Sequence, residues 1–173
     1  MASTLKVNEI QHTGGTSAMT IASNGIVNPK ACAFQMYSSI AQSIPNGTET
    51  TYAFNVTTFD TNSIVDLSNN RVVITSDTAG LWFLSFTSRL NSSGPPRHIN
   101  YIKVGSATPI MFEQYSPVTS ATSGSSSCTA SGLVSLASGD VVIGRLYMDH
   151  GGSRNTETGI SVARLEGYRI GTV

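Results

Sequence analysis

The sequence predicts an all-β protein in which eight to ten antiparallel strands form a sandwich or barrel-like jelly roll behind an extended N-terminal β segment. Three observations carry that prediction. Helical periodicity is almost absent from the 173 residues, while short apolar or alternating runs recur between clusters of Gly, Asn, Asp, Ser and Pro. Charged residues make up only 12%, about half the roughly 25% of ordinary soluble domains. Roughly a quarter of the residues are Ser or Thr, so polarity rests on hydroxyls, which cost far less than ions to bury in sheets and subunit contacts.

Taken in chain order, STLKVNEIQHTGGTSAMTIASNGIV (3–27) comes first. Leu5, Val7 and Ile10, then Met19 and Ile21, then Ile26 and Val27 form thin apolar stretches separated by Gly turns. No such stretch can bury a face alone. Pro29 and Lys30 mark a boundary between this opening segment, 1–30, and a head domain at 31–173.

Within the head, strands are expected at 32–38, 50–59, 71–75, 81–90, 99–104, 110–116, 128–136, 141–150 and 160–170, with a short extra strand at 63–67. Along 81–90, Trp82, Leu84 and Phe86 face one way and Phe83, Ser85 and Thr87 the other. Ile160, Val162, Leu165, Tyr168 and Ile170 nearly alternate, with a phase change near Arg164 that suits a bulge. The connections are uneven. Those at 75–80, 105–109 and 137–140 are short, and those at 91–98, 117–127 and 151–159 are long. With strands running alternately up and down, the short turns gather at one end and the long loops at the other. The strand after Pro29 starts, and the last strand finishes, on the short-turn side. One end is then an attachment base and the other a loop-rich face free for contact.

Several function classes find no support. Net charge is +0 with ten charges of each sign, so neither nucleic acid nor an anionic membrane is an expected partner. No run approaches the ~18 apolar residues of a spanning helix. Residues 1–20 lack the basic and apolar regions of a signal peptide, so synthesis in a cytoplasm is expected. Cys32 and Cys128 read as two buried thiols on strands. The sequons at Asn46, Asn55 and Asn91 read as accidents of a Ser/Thr-rich chain. No nucleophile elbow, P-loop, HExxH or CxxC is present, so no enzyme, cofactor or metal site is expected. His98, His150 and Asp149 could meet at the loop end as metal ligands, but exposed loop histidines are commoner than sites. The run DTNSIVD (60–66) has the acidic spacing of a calcium loop without its central Gly or final Glu. Binding remains. The candidate contact face is Arg97, His98, Tyr115, Asp149, His150, Arg154 and Asn155, with Tyr147 beside them. Arg and Tyr anchor interfaces through large contact area joined to hydrogen bonding, and flat loops of Asn, Ser, Arg and aromatics also suit sugars.

Two stretches carry resemblances. AFNVTTFDTNSIVDLSNNRVVITSDTAGLWFLSFTSRL, with Gly80, Leu81, Trp82, Phe83, Leu84 and Ser85 in place of a Gly-aromatic-aromatic strand, resembles the first half of the trimeric jelly roll shared by tumour necrosis factor and the complement globular heads. SGLVSLASGDVVIGRLY is similar to that family's strand–Gly-Asp turn–strand, with the turn at Gly139 and Asp140. ARLEGYRIG (163–171) resembles its terminal F-x-G-x-x-I strand, with Leu165 where Phe is expected. This resemblance covers residues 32–173. Separately, STLKVNEIQHTGGTSAMTIASNGIV resembles the N-terminal attachment and shaft motif of tailed-phage fibre proteins, especially those of marine cyanobacterial phages, with Asn8 where Asp is commoner.

Together the resemblances imply a virion structural protein. They imply a homotrimeric tail fibre made in the host cytoplasm and held to other virion proteins through residues 3–27. They further imply a head that contacts a host surface glycan or protein, with three equivalent weak sites adding by avidity. The same molecule could instead decorate the capsid or neck as a stabilising knob. A polysaccharide-degrading tailspike would need paired carboxylates, for which only Asp149 and Glu157 stand at the loop end.

Overall fold

A computed structural model describes residues 7, 9–11, 14, 17–21, 23–24, 27–29, 31–91, 97–105, 110–116, 125–149 and 151–171. The chain divides into two compact units, Met1–Cys32 and Ala33–Val173. In the first unit, β1 (Glu9–Gln11), β2 (Ser17–Ile21) and β3 (Val27–Pro29) pair antiparallel as a small meander. Ile10 lies opposite Met19, and Ile21 opposite Val27. Strands this short leave Val7 and Ile10 exposed, and a lone sheet of this size is marginal in water.

The second unit holds β4 (Ala33–Tyr37), β5 (Ser43–Ile44), β6 (Thr50–Thr51), β7 (Val56–Asp60), β8 (Val65–Asp66), β9 (Arg71–Val73), β10 (Gly80–Leu90), β11 (Arg97–Val104), β12 (Ile110–Ser116), β13 (Ser126–Leu136), β14 (Val141–Asp149), β15 (Arg154–Asn155) and β16 (Arg164–Gly171). A single 3₁₀ turn, Leu67–Asn69, is the only helical element among the described residues. One sheet runs β13-β10-β16-β4-β7. The other runs β12-β11-β14-β9-β8, with β6 also on β14, and β15 pairs β5 in a short ribbon. All pairings are antiparallel, and from β9 onward the chain crosses repeatedly between the two sheets. This is a jelly roll.

Alternation builds the core. Trp82, Leu84 and Phe86 point inward from β10 and are wholly buried, with Phe34 and Met36 beside them and Leu165 from β16. Val72, Ile102, Val142, Leu146 and Met148 meet them from the other sheet. The rings of Tyr52, Phe54 and Phe86 pack at 5.1–6.0 Å between centroids, and burial of such side chains is the main stabilising contribution. Gly167 in β16 leaves room for that packing. A Cβ there would come within 2.7 Å of Leu84 and 2.8 Å of Phe34.

Three expectations about strands are corrected. The run 50–59 is not one strand, because it divides into β6 and β7, which belong to different sheets. Tyr52 and Phe54 are buried at the crossing, where Tyr52 N still donates to Gly144 O at 3.0 Å and side chains take over from the ladder beyond it. Gln42 Oε1 accepts from Ala53 N at 2.9 Å, Gln42 Nε2 donates to Thr51 O at 2.9 Å, and Asn70 Oδ1 accepts from Phe54 N at 2.7 Å. The last strand starts at Arg164, since residues 160–163 form a tight turn in which Val162 N and Ala163 N both donate to Gly159 O. The register shift in that strand lies at its far end, opposite Leu81 and Trp82, rather than near Arg164.

The register also fixes the two ends of the head. Leu90 pairs Ser126, Arg97 pairs Asp149, and His98 pairs Ser116. The connections 91–96, 117–125 and 150–153 therefore leave from one end. Gly80 pairs Leu136, Val73 pairs Val141, and Val104 pairs Val142, which places the short turns together at the opposite end. The chain enters the head there at Ala33, opposite Tyr168, and β16 finishes there with Gly171 opposite Leu81.

Candidate functional site

The loop-bearing end is built from the last residues of long strands. Arg97 opens β11 directly opposite Asp149, which closes β14. Arg97 is exposed and Asp149 half-buried. Tyr147 and Tyr115 flank Ile99 two residues inward, on β14 and β12. Arg154 and Asn155 form β15, held against Ser43 and Ile44 of β5. Asn155 O accepts from Asn91 N at 2.9 Å, so this ribbon adjoins the end of β10. His150 lies outside the described residues.

His98 does not belong to this surface. It was expected in a loop, but β11 begins one residue before it and turns its side chain into the sandwich, where it is wholly buried. A closed polar network surrounds it. Asn100 Nδ2 donates to Phe86 O at 3.2 Å and Cys128 O at 2.8 Å, and Ser88 Oγ donates to Asn100 Oδ1 at 2.6 Å. Having spent its proton, Ser88 Oγ accepts from His98 Nε2 at 2.8 Å, so His98 Nδ1 accepts from Ser126 Oγ at 3.0 Å. Burial drives the imidazole pKa down to about 4, and the ring is neutral at pH 7. The network ties Ser88, His98 and Ser126, which stand at the roots of the 91–96 and 117–125 connections. It positions the end of the head and offers no ligand atom to solvent. Beside it, burial raises the Cys128 thiol to about 11, and Cys32 and Cys128 are both buried outside any disulfide.

Sequence reasoning missed a second cluster at this end. Glu157 accepts from Arg89 Nε at 3.1 Å and from the Ser125 hydroxyl, while its N–H donates to Arg89 O at 2.7 Å. The carboxylate needed for a glycosidase pair with Asp149 is thus engaged in holding the loop roots. Asn46 Oδ1 accepts from Gly151 N, and Gly47 N donates to Met148 O, both at 2.8 Å. The Asn-Gly dipeptide was the available signal, since it marks a turn. In the run 60–66, Asp60 caps its own turn by accepting from Ile64 N at 3.1 Å and Val65 N at 2.8 Å. Asp66 accepts from Ser68, Asn69 and Arg71, which hold its carboxyl well below the usual range. These carboxylates are occupied by the chain itself, as in an Asx turn. Among the described residues no three His, Cys, Asp or Glu side chains are grouped to hold a metal ion.

Away from the loop end, the outer faces of the two sheets differ. On the five-stranded sheet, Phe59, Leu133, Tyr168 and Ile170 are 43%, 57%, 52% and 53% exposed. A recess of about 300 Å³ lies among Ala33, Phe59, Phe83, Glu166, Gly167 and Tyr168. On the six-stranded sheet, Ile99 and Tyr101 are covered, and Glu49 accepts from Lys103 Nζ at 2.6 Å and Arg145 Nη1 at 2.7 Å. Burial raises the Glu49 carboxyl pKa, but these two cations outweigh it and hold the group below its usual value.

No protein-family model matches the chain, and comparison with curated proteins gives no match. Solved structures do match in fold. Murine APRIL at pH 5.0 superposes with a TM-score of 0.64 at 11% identity, covering 82% of this chain and 100% of the other. The globular domain of zebrafish complement 1qA protein gives 0.63 at 18%, covering 83% and 99%. Eiger TNF from S. frugiperda gives 0.65 at 9%, covering 83% and 95%. The chain shares the jelly roll of these TNF-type and complement globular domains.

Proposed function

We propose that the chain is a non-catalytic virion fibre: a homotrimer anchored to other virion proteins through residues 3–27, with a head that contacts the host cell surface. The polarity of the head carries this reading. The chain enters and β16 finishes at one end, and the three long connections leave from the other, as a tethered head facing outward requires. The exposed apolar face of the five-stranded sheet supports self-association, because contiguous patches of this kind on soluble proteins mark interaction sites. The attachment-like motif at residues 3–27 supports the virion.

The contact face is Arg97, Asp149, Arg154 and Asn155, with Tyr115 and Tyr147 beside them. It suits a glycan or protein epitope bound weakly at three equivalent places. The test is location and mass. Gold label at the N-terminus should map to the tail of intact particles, and the purified chain should sediment as three copies. Label on the capsid or neck would replace the tail fibre by a decorating knob, and a stable single chain would end the fibre reading.

A further inference from the structure

We propose that the polar network around His98 is an acid-released latch: on acidification it lets the loop-bearing end of the head open while the base of the sandwich stays closed.

The latch ties the two sheets together at one end. His98 and Asn100 reach inward from β11 of the six-stranded sheet, and Ser88 of β10 and Ser126 of β13 meet them from the five-stranded sheet. Asn100 Nδ2 adds bonds to Phe86 O and Cys128 O of the same two strands. Towards the base, these strands meet through Leu84, Phe86, Ile102 and Val134, all buried and apolar. A change at His98 therefore acts at the roots of 91–96 and 117–125, not on the apolar layers beneath.

In the closed state every hydrogen of the cluster is matched. Ser88 Oγ donates to Asn100 and accepts from His98 Nε2, and Ser126 Oγ donates to His98 Nδ1. A proton added at Nδ1 turns that acceptor into a donor and leaves the Ser126 hydrogen without its partner. No opposite charge answers the new cation. Among the described residues, β10 turns Phe86, Ser88 and Leu90 inward, β13 turns Ser126 and Cys128, and β14 turns Leu146 and Met148. Arg89, Arg97 and Asp149 alternate with these along the strands and face outward, where Glu157 holds Arg89. On β12, Ser116 stands opposite His98. The titratable groups on this side are Cys128 and Tyr52, which packs on Phe86. Burial raises both, so both are neutral in acid. A buried cation without a counter-ion is costly, and opening to water removes that cost.

The closed ring titrates near 4, whereas a hydrated ring titrates near 6.5. The closed state thus keeps its full advantage above pH 6.5 and loses it as pH falls towards 4. Between pH 7 and pH 4.5 the opening constant rises roughly 50-fold. Arg97 is the neighbour of His98 at the start of β11, so acid loosens the mount of the contact face before it reaches the core.

The test is amide hydrogen exchange on the full chain at pH 7 and pH 4.5, each amide compared with its own intrinsic rate at that pH. Protection along 97–101 and 126–130 should fall about 50-fold in acid, while protection along 81–84 and 141–144 stays within about threefold. His98→Gln should show low protection at the loop end at both pH values. Glu157→Gln removes the other acid-titrating group at these roots and should leave the pH response in place. In the wild type, the His98 ring signal should titrate near 4 in step with the loss of protection, which keeps the test open if His98→Gln does not fold. The latch is overturned if loop-end protection is the same at both pH values, or if the base loses protection equally. It is also overturned if Glu157→Gln abolishes the response, or if the ring titrates near 6.5 with protection intact.

Discussion

The two sheets of the head are alike in construction and opposite in what their outer faces leave unfinished. On the six-stranded sheet, Ile99 and Tyr101 are covered and the cations of Lys103 and Arg145 converge on Glu49. On the five-stranded sheet, the inward side chains pack as tightly as any, yet Phe59, Leu133, Tyr168 and Ile170 stand about half in water. Both outer faces carry ion pairs, Glu49 with Lys103 and Arg145 on one and Glu166 with Arg164 on the other, so the difference between them lies in the exposed apolar side chains. The difference teaches that low charge content alone does not mark an interface. What singles out the five-stranded face is exposed apolar surface on regular strands with its nearby ions already paired.

Perturbing each face should sharpen the contrast. The largest effect belongs to the five-stranded sheet. Tyr168→Asp with Ile170→Asp should abolish the proposed self-association while leaving the fold, because both side chains point away from the core; light scattering would show the mass falling to that of a single chain. Next comes the seam between the sheets. His98 is held neutral with a pKa lowered to about 4, against about 6.5 in an unfolded chain. Its contribution is therefore whole above pH 6.5 and lost as pH falls from 6.5 towards 4, by about 3 kcal/mol over that window. Denaturant midpoints of the wild type and His98→Gln, measured at pH 7 and pH 4.5, should converge on acidification. Parallel curves would show that His98 does not titrate with unfolding.

A smaller effect is expected on the six-stranded face. Glu49→Gln leaves Lys103 and Arg145 without their shared anion and should cost about 1–2 kcal/mol, since the group is partly exposed and screened. Mass should not change. The smallest effect belongs to the contact end, where Arg97→Ala should shift stability by less than about 0.5 kcal/mol. If the end recognises a host surface, adsorption of particles carrying Arg97→Ala with Arg154→Ala should fall while thermal melting does not.

Legibility in the sequence followed the physics of each element. Long alternating strands such as 81–90 read directly, because a period of two on a half-buried sheet leaves its mark at every residue. The polarity of the two ends followed from connection length and parity. The crossing at Tyr52–Phe54 did not, because the side chains of Gln42 and Asn70 take over from the ladder beyond Tyr52. Nor did the two-residue strands β5 and β15, which are too short to show any period. Gly167 was visible only as part of a resemblance, and its reason, the approach of Leu84 and Phe34, needs three dimensions. His98 shows the limit most clearly. Beside Pro95 and Pro96 it reads as a loop residue, and only pairing with Met148 and Ser116 places it on a strand facing inward.

The position of Ala33 has a mechanical consequence. The chain enters the head at the start of β4, which lies in the interior of its sheet between antiparallel β16 and β7. A pull along the axis of β4 applied at Ala33 would therefore load its hydrogen bonds to both neighbours together, in shear. Strands sheared this way must break many bonds at once, whereas strands peeled from an edge yield them one at a time. Forced unfolding is governed by the unfolding rate rather than by equilibrium stability. Resistance of this domain to a pull at Ala33 is thus set by its unfolding rate rather than by its thermal stability.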